Sequence, residues 1–270
     1  MKITAKLLAE NYNLYHREKI MLPLNKLSVE NVEGDILRAN THLNAWIERF
    51  KDTSRTTEQN KQSVFKLTSF YMMLAYGNYA LENYSEVKPN LIKAAPFAFL
   101  RGFDPELKTQ NSAWTIQDEL NICLLFGDSV LLEKIKVLNW SLPEDRWVHP
   151  AIYQYDHLLM HIATGRTPSE QAITQALSDA KSAKNKDVIQ FFLPLIEVIH
   201  ALTTSNQTLW QESIDKAIAW HTDECKFGDY KDIDDGFMCL NALTMAKLGK
   251  DLHGWHCTTN SLYLPLFLID

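Results

Sequence analysis

A chain of 270 residues, 46% apolar and 22% charged, is long enough to bury a sizeable core and too apolar to be intrinsically disordered. Its formal charge of −6 argues against a nucleic-acid binder, which ordinarily carries a basic face. Nine Gly and nine Pro are too few for a turn-rich β architecture, and Cys123, Cys225, Cys239 and Cys257, without CxxC spacing, read as free thiols of a reducing cytosol.

The segment Met1–Glu10 lacks the apolar core of a secretory signal. The uncharged stretch Leu67–Leu81 falls short of the ~20 residues a membrane span needs. Both predict a cytoplasmic protein without membrane association. Helical spacing then recurs along the chain, with no sustained period-two alternation. Leu7, Leu8, Asn11, Leu14 and Tyr15 make a first stripe, and Leu37, His42, Leu43, Trp46, Ile47 and Phe50 a second. Val64, Leu67, Phe70, Tyr71, Leu74 and Ala75 make a longer third. A helix from Glu86 to Phe99 is expected to bend or restart at Pro89 and Pro96.

Thr167-Pro-Ser-Glu170 reads as a capping box with Pro at the first helical position, followed by the buried face Ala172, Ile173, Ala176, Leu177 and Ala180. After Asn185-Lys-Asp187 comes an apolar helix, Val188 to Leu202, interrupted by Pro194. Asn206 or Thr208 starts another, with Leu209, Ile214, Ala217, Ile218 and His221 along one side. The last helical pattern (Met238, Leu240, Leu243, Met245, Ala246, Leu248) is expected to stop at Gly249. The sequence closes on Leu262-Tyr-Leu-Pro-Leu-Phe-Leu-Ile269, an apolar strip that must be packed or bound. The fold class is therefore all-α: antiparallel helix pairs in a bundle or helical-repeat-like stack, with the extended C-terminal tail packed on the last helices. Residues 1–270 read as one unit, with a candidate seam near 101–106.

Few constellations could carry chemistry. His157 and His161 share one helix face, but position 158 is Leu where a metalloprotease needs its Glu base, and no third ligand is fixed by spacing. His253, His256 and Cys257 crowd three ligands into five residues, a cramped geometry for a metal. No nucleophile elbow and no phosphate-binding glycine loop occur. We therefore assign no catalytic residue, metal or cofactor and expect a protein that is not an enzyme. Between Asp223 and Asp235 six acids (Asp223, Glu224, Asp229, Asp232, Asp234, Asp235) face two bases, a local excess of four negative charges. Such a run is a solvated loop or an acidic face for a basic partner. Trp140 and Trp147 flank a loop-like segment of aromatic and acidic character, the residue types that anchor interfaces.

The helix ending Ala242-Leu-Thr-Met-Ala-Lys-Leu-Gly249, a short connection and the terminal Ser261-Leu-Tyr-Leu-Pro-Leu-Phe-Leu-Ile269 together resemble the C-terminal block of the Imm49 family of bacterial immunity proteins. The acidic stretch upstream is similar too. The resemblance implies a cytosolic all-α protein that neutralises a cognate bacterial toxin by direct binding, with a basic nuclease suiting the acidic run. The expected contact residues are Asp223, Glu224, Asp229, Tyr230, Asp232, Asp234, Asp235, Trp140 and Trp147. The alternative reading is a helical-repeat scaffold that binds a peptide or regulatory partner. Oligomeric state is left open by either.

Overall fold

The computed structural model describes residues 20–109, 113–138 and 148–270, and only the backbone of 113–115. The Leu7–Tyr15 stripe, Trp140 and Trp147 lie outside the described residues. Most helices begin where the sequence offers an acceptor for the first free backbone N–H groups. Ser28 caps α1 (Val29–Lys51), accepting from Asn31 N. Thr56 and Gln59 form a reciprocal capping box at α2 (Thr57–Ala80), with contacts of 3.3 and 3.0 Å. Then come α3 (Tyr84–Phe103), α4 (Ala113–Phe126) and α5 (Ser129–Lys136), the last capped by Asp128. The His149 ring caps α6 (Pro150–Ala163), whose first residue is a proline. Ser169 caps α7 (Glu170–Ser182), and a π-turn at Val188–Phe192 leads into α8 (Leu193–Thr203). Asn206 caps α9 (Gln207–Phe227), and a 3-10 turn at Asp234–Phe237 precedes α10 (Leu240–His253). No strand occurs among the described residues, and no described helix is long and apolar enough to cross a membrane.

Consecutive helices joined by short turns pack as antiparallel neighbours: α1 on α2, α2 on α3, α3 on α4, α6 on α7 and α8 on α9. The last helix breaks this local order. α10 lies against α4, α8 and α9, and buries Leu240, Ala242, Leu243, Thr244, Met245, Ala246 and Gly249. Apolar residues spread around its circumference, as suits a helix enclosed by others. One buried cluster runs from Leu22 to Leu268 and includes residues on both sides of 101–106.

Three local expectations need correction. α3 runs on through Pro89 and Pro96 from Tyr84 to Phe103 and restarts at neither. Each proline removes a ladder hydrogen bond, but Val87, Leu91, Ala94, Ala95 and Ala98 are completely buried, and that packing holds the helix together. The cap of α7 is Ser169, two residues past Thr167, so Glu170 is the first helical residue. Gly249 does not end the last helix. It sits inside α10 beneath Trp210, where a β-carbon would stand 2.4 Å from the indole ring. The helix stops instead at Gly254, whose φ of 69° is the left-handed conformation that favours glycine.

The C-terminal tail packs on α9 and α10 as expected and also reaches the first helices. Tyr263, Leu264 and Leu268 are buried. Cys239 N donates to Tyr263 O at 2.8 Å, and Lys250 Nζ donates to Ile269 O at 2.9 Å. The Tyr263 hydroxyl donates to Leu24 O, and the Tyr79 hydroxyl of α2 donates to Leu262 O. Phe267 meets the rings of Tyr79 and Tyr84 at 6.3 and 5.4 Å. The strip thus joins both ends of the described chain.

Candidate acidic site

The acidic segment leaves α9, loops through Tyr230 and Ile233, and returns in the Asp234–Phe237 turn. Interactions from distant parts of the sequence pin that loop. Asn25, itself buried, donates from Nδ2 to Tyr230 O (3.0 Å) and to Ile233 O (2.7 Å). Lys26 N donates to Lys231 O at 2.6 Å. On the inner side, His221 Nε2 and Cys225 Sγ both donate to Gly236 O, at 2.8 and 3.0 Å. Burial holds the His221 imidazole neutral, its pKa pushed down to about 4.

This bracing divides the expected contact residues into two groups. Asp223, Asp229 and Asp232 are exposed, and none is in an ion pair among the described residues. Glu224 is half-buried and accepts from Asp229 N at 3.0 Å. Tyr230 and Asp234 are half-buried, and Asp235, although exposed, borders a cavity in the body of the fold. Tyr230 stands edge-on to Trp220 and tilted against His221. Tyr230 and Asp235 line a cavity of about 90 Å³ together with Tyr76 from α2, Asp118 from α4, Phe191 and Asn241 from α10.

Asp118, Tyr76 and Asn241 carried no signal at the level of motifs, because they come from three helices far apart in sequence. Asp118 stands in the polar first half of α4, beside Gln117, Glu119 and Asn121, and nothing in the sequence singles it out from them. Asp118 is itself exposed. Even so, the surrounding protein and the nearby Asp235 push it up to about 7, against the pull of Arg101. The surrounding protein and Asp234 push the exposed Asp235 up to about 6, and burial raises the half-buried Asp234 as well.

Below the cavity the interior stays polar. Asn241 Oδ1 accepts from Asn121 Nδ2 at 2.9 Å and from the Tyr155 hydroxyl at 2.8 Å, joining α10 to α4 and α6. Glu119, 1% exposed, pairs with Arg101 Nε at 2.9 Å, and burial pushes its carboxyl up to about 8 despite that partner. Asp156, also 1% exposed, has no hydrogen bond to either oxygen. Burial drives it well above the usual carboxylate range, with the neighbouring Gln117 amide opposing.

The histidine candidates are spread along the surface and the tail connection. His157 and His161 are exposed on α6, and partial desolvation of the His157 ring by the surrounding protein, with His161 beside it, lowers its pKa. His253 meets Leu202 O at 2.8 Å through Nε2 and stacks on Trp255 at 4.2 Å. Cys257 Sγ donates to Thr259 Oγ1. Among the described residues no group of three His, Cys, Asp or Glu side chains is gathered as a metal ion would require.

A family model described as immunity protein 49 matches residues 54–268, most of the chain. The match takes in the acidic segment, every helix lining the cavity and the tail. No curated protein and no solved structure matches.

Proposed function

This chain belongs to the immunity protein 49 family, and we propose that it acts in the cytoplasm as the binding inhibitor of a cognate bacterial toxin, without catalysis of its own and without a cofactor. The observation that carries the reading is the family match across residues 54–268. Within it we assign the toxin contact to Asp223, Glu224, Asp229, Tyr230, Asp232, Asp234 and Asp235, with Trp140 and Trp147 as further anchors.

The pinned loop supports this assignment. A charged loop held by Asn25, Lys26, His221 and Cys225 loses little conformational entropy when it docks. Its unpaired outward carboxylates would steer a basic partner, such as a nuclease blocked at its nucleic-acid site.

The test is co-expression with the product of the adjacent gene. Protection from that product together with a stable complex of the two is the expected result. A product that is harmless alone, or that stays toxic and forms no complex, defeats the reading.

A further inference from the structure

The cavity beside the acidic loop presents two carboxylates and a phenol, and these define its ligand. Neither Asp118 nor Asp235 forms an ion pair or a side-chain hydrogen bond with another described residue. Arg101, whose charge both carboxylates feel, forms its ion pair with Glu119. Tyr76, only 4% exposed, lines the same cavity, and its hydroxyl has no hydrogen-bond partner. A buried phenol ordinarily finds a partner, so an open one that faces carboxylates marks a place for a group to bind.

Size and lining narrow the choice. At about 90 Å³ the cavity is well below the ~300 Å³ at which small-molecule sites begin. It suits the tip of one side chain. An anion would meet two carboxylates, and an apolar tip would leave them and the phenol unsatisfied. Phe191, fixed by stacking on Trp220 at 4.3 Å, and Tyr230 supply ring walls for a flat cation. A guanidinium offers five donors in a plane, which two carboxylates and a phenol oxygen can share. An ammonium offers three on a point charge.

Resting on the inhibitor reading, we propose that this cavity is a receptor for a single arginine side chain of the bound toxin, its guanidinium entering between the carboxylates of Asp118 and Asp235. The outer acids Asp223, Asp229 and Asp232 then attract the partner, and the cavity fixes its register.

The experiment has two arms, both on the full chain. In the first, methylguanidinium is titrated while the ring signals of Tyr76 and Tyr230 are followed by NMR, with methylammonium as the comparison. Saturable shifts are expected with methylguanidinium, weaker with methylammonium. The affinity should drop about tenfold in Asp118→Asn and in Asp235→Asn, the latter on a surface turn that tolerates the change, as for loss of a charge-assisted hydrogen bond. Asp232→Asn, of equal charge but outside the cavity, should bind as the wild type does. Unsaturable shifts, or equal loss in Asp232→Asn, overturn the proposal.

The second arm measures the affinity of the toxin complex for the same variants. If the complex forms and the two cavity variants bind as tightly as Asp232→Asn, the arginine receptor is wrong while the inhibitor reading stands. If no complex forms at all, the inhibitor reading and the toxin as source of the arginine both fall. The methylguanidinium titration still decides whether the cavity takes the group.

Discussion

Replacing Gly249 by Ala should destabilise the protein, although the same change in an exposed helix stabilises it. At position 249 the new β-carbon would stand 2.4 Å from Trp210 Cζ2, 2.5 Å from Cε2 and 2.7 Å from Nε1. The indole has no room to retreat. It is completely buried, donates through Nε1 to Met245 O at 3.1 Å, and packs against Trp255 at 5.4 Å. Helix propensity favours Ala by ~1 kcal/mol, overpacking a rigid bicyclic ring costs ~3 kcal/mol, and a disturbed indole hydrogen bond adds ~1 kcal/mol. The net is a loss of about 3 kcal/mol, lowering the urea midpoint by roughly 1 M. Gly34 is the internal control: it lies exposed within α1, where a β-carbon meets nothing within 4 Å. Gly34→Ala should gain ~0.5–1 kcal/mol from propensity alone. Urea unfolding followed by tryptophan fluorescence and far-UV dichroism measures both variants. A Gly249→Ala midpoint at or above the wild type would refute the close contact with Trp210.

Four further outcomes are expected. The folded-state pKa of His221 is depressed, so its contribution is complete above the unfolded value near 6.5 and is lost as pH falls toward 4. It amounts to about 3 kcal/mol, and His221→Gln, read by urea unfolding from pH 7 to 4, should flatten that dependence. Asp156 works in the opposite sense. Its raised folded pKa makes it stabilising below the unfolded value near 4 and progressively costly as pH rises, so Asp156→Asn should gain stability over the wild type at pH 8 but not at pH 4. Guanidinium binding in the cavity needs ionised carboxylates and should strengthen from pH 5 to 8 as Asp235 and Asp118 ionise, with Asp234, Glu119, Arg101, His221, Cys239, Tyr76 and Tyr230 the other titratable or charged groups facing them. Charge reversal at Asp229 and Asp232 should slow association with the toxin and flatten its salt dependence, measured by stopped-flow at two ionic strengths.

The all-α class and most helix positions were legible because 3.6-residue stripes and polar caps are local signals. Asn206 caps where short-range rules put it. Errors arose where tertiary packing overrides local preference. The enclosure of α3 carries two prolines, and Trp210 explains a glycine that local rules read as a stop. The acidic loop was visible as composition, but the division between its free acids and the one that borders the cavity was not. That division depends on Asn25, some 205 residues before Tyr230 in the chain, and on Asp118 arriving from α4. The polar interior at Asn121, Tyr155 and Asn241 was equally hidden, since each residue alone is an unremarkable member of its helix.

The links between Leu24 and Tyr263 and between Tyr79 and Leu262 span 239 and 183 residues of chain. On a ribosome adding roughly 5–20 residues per second, the partner of Leu24 emerges on the order of ten seconds to a minute later. Until then the early helices and the loop that braces the acidic segment lack their final cover. Residues 20–28 can settle against Tyr230 and Tyr263 only after nearly all of the described chain has been made. A chain still in synthesis has therefore not yet assembled the brace of its acidic loop.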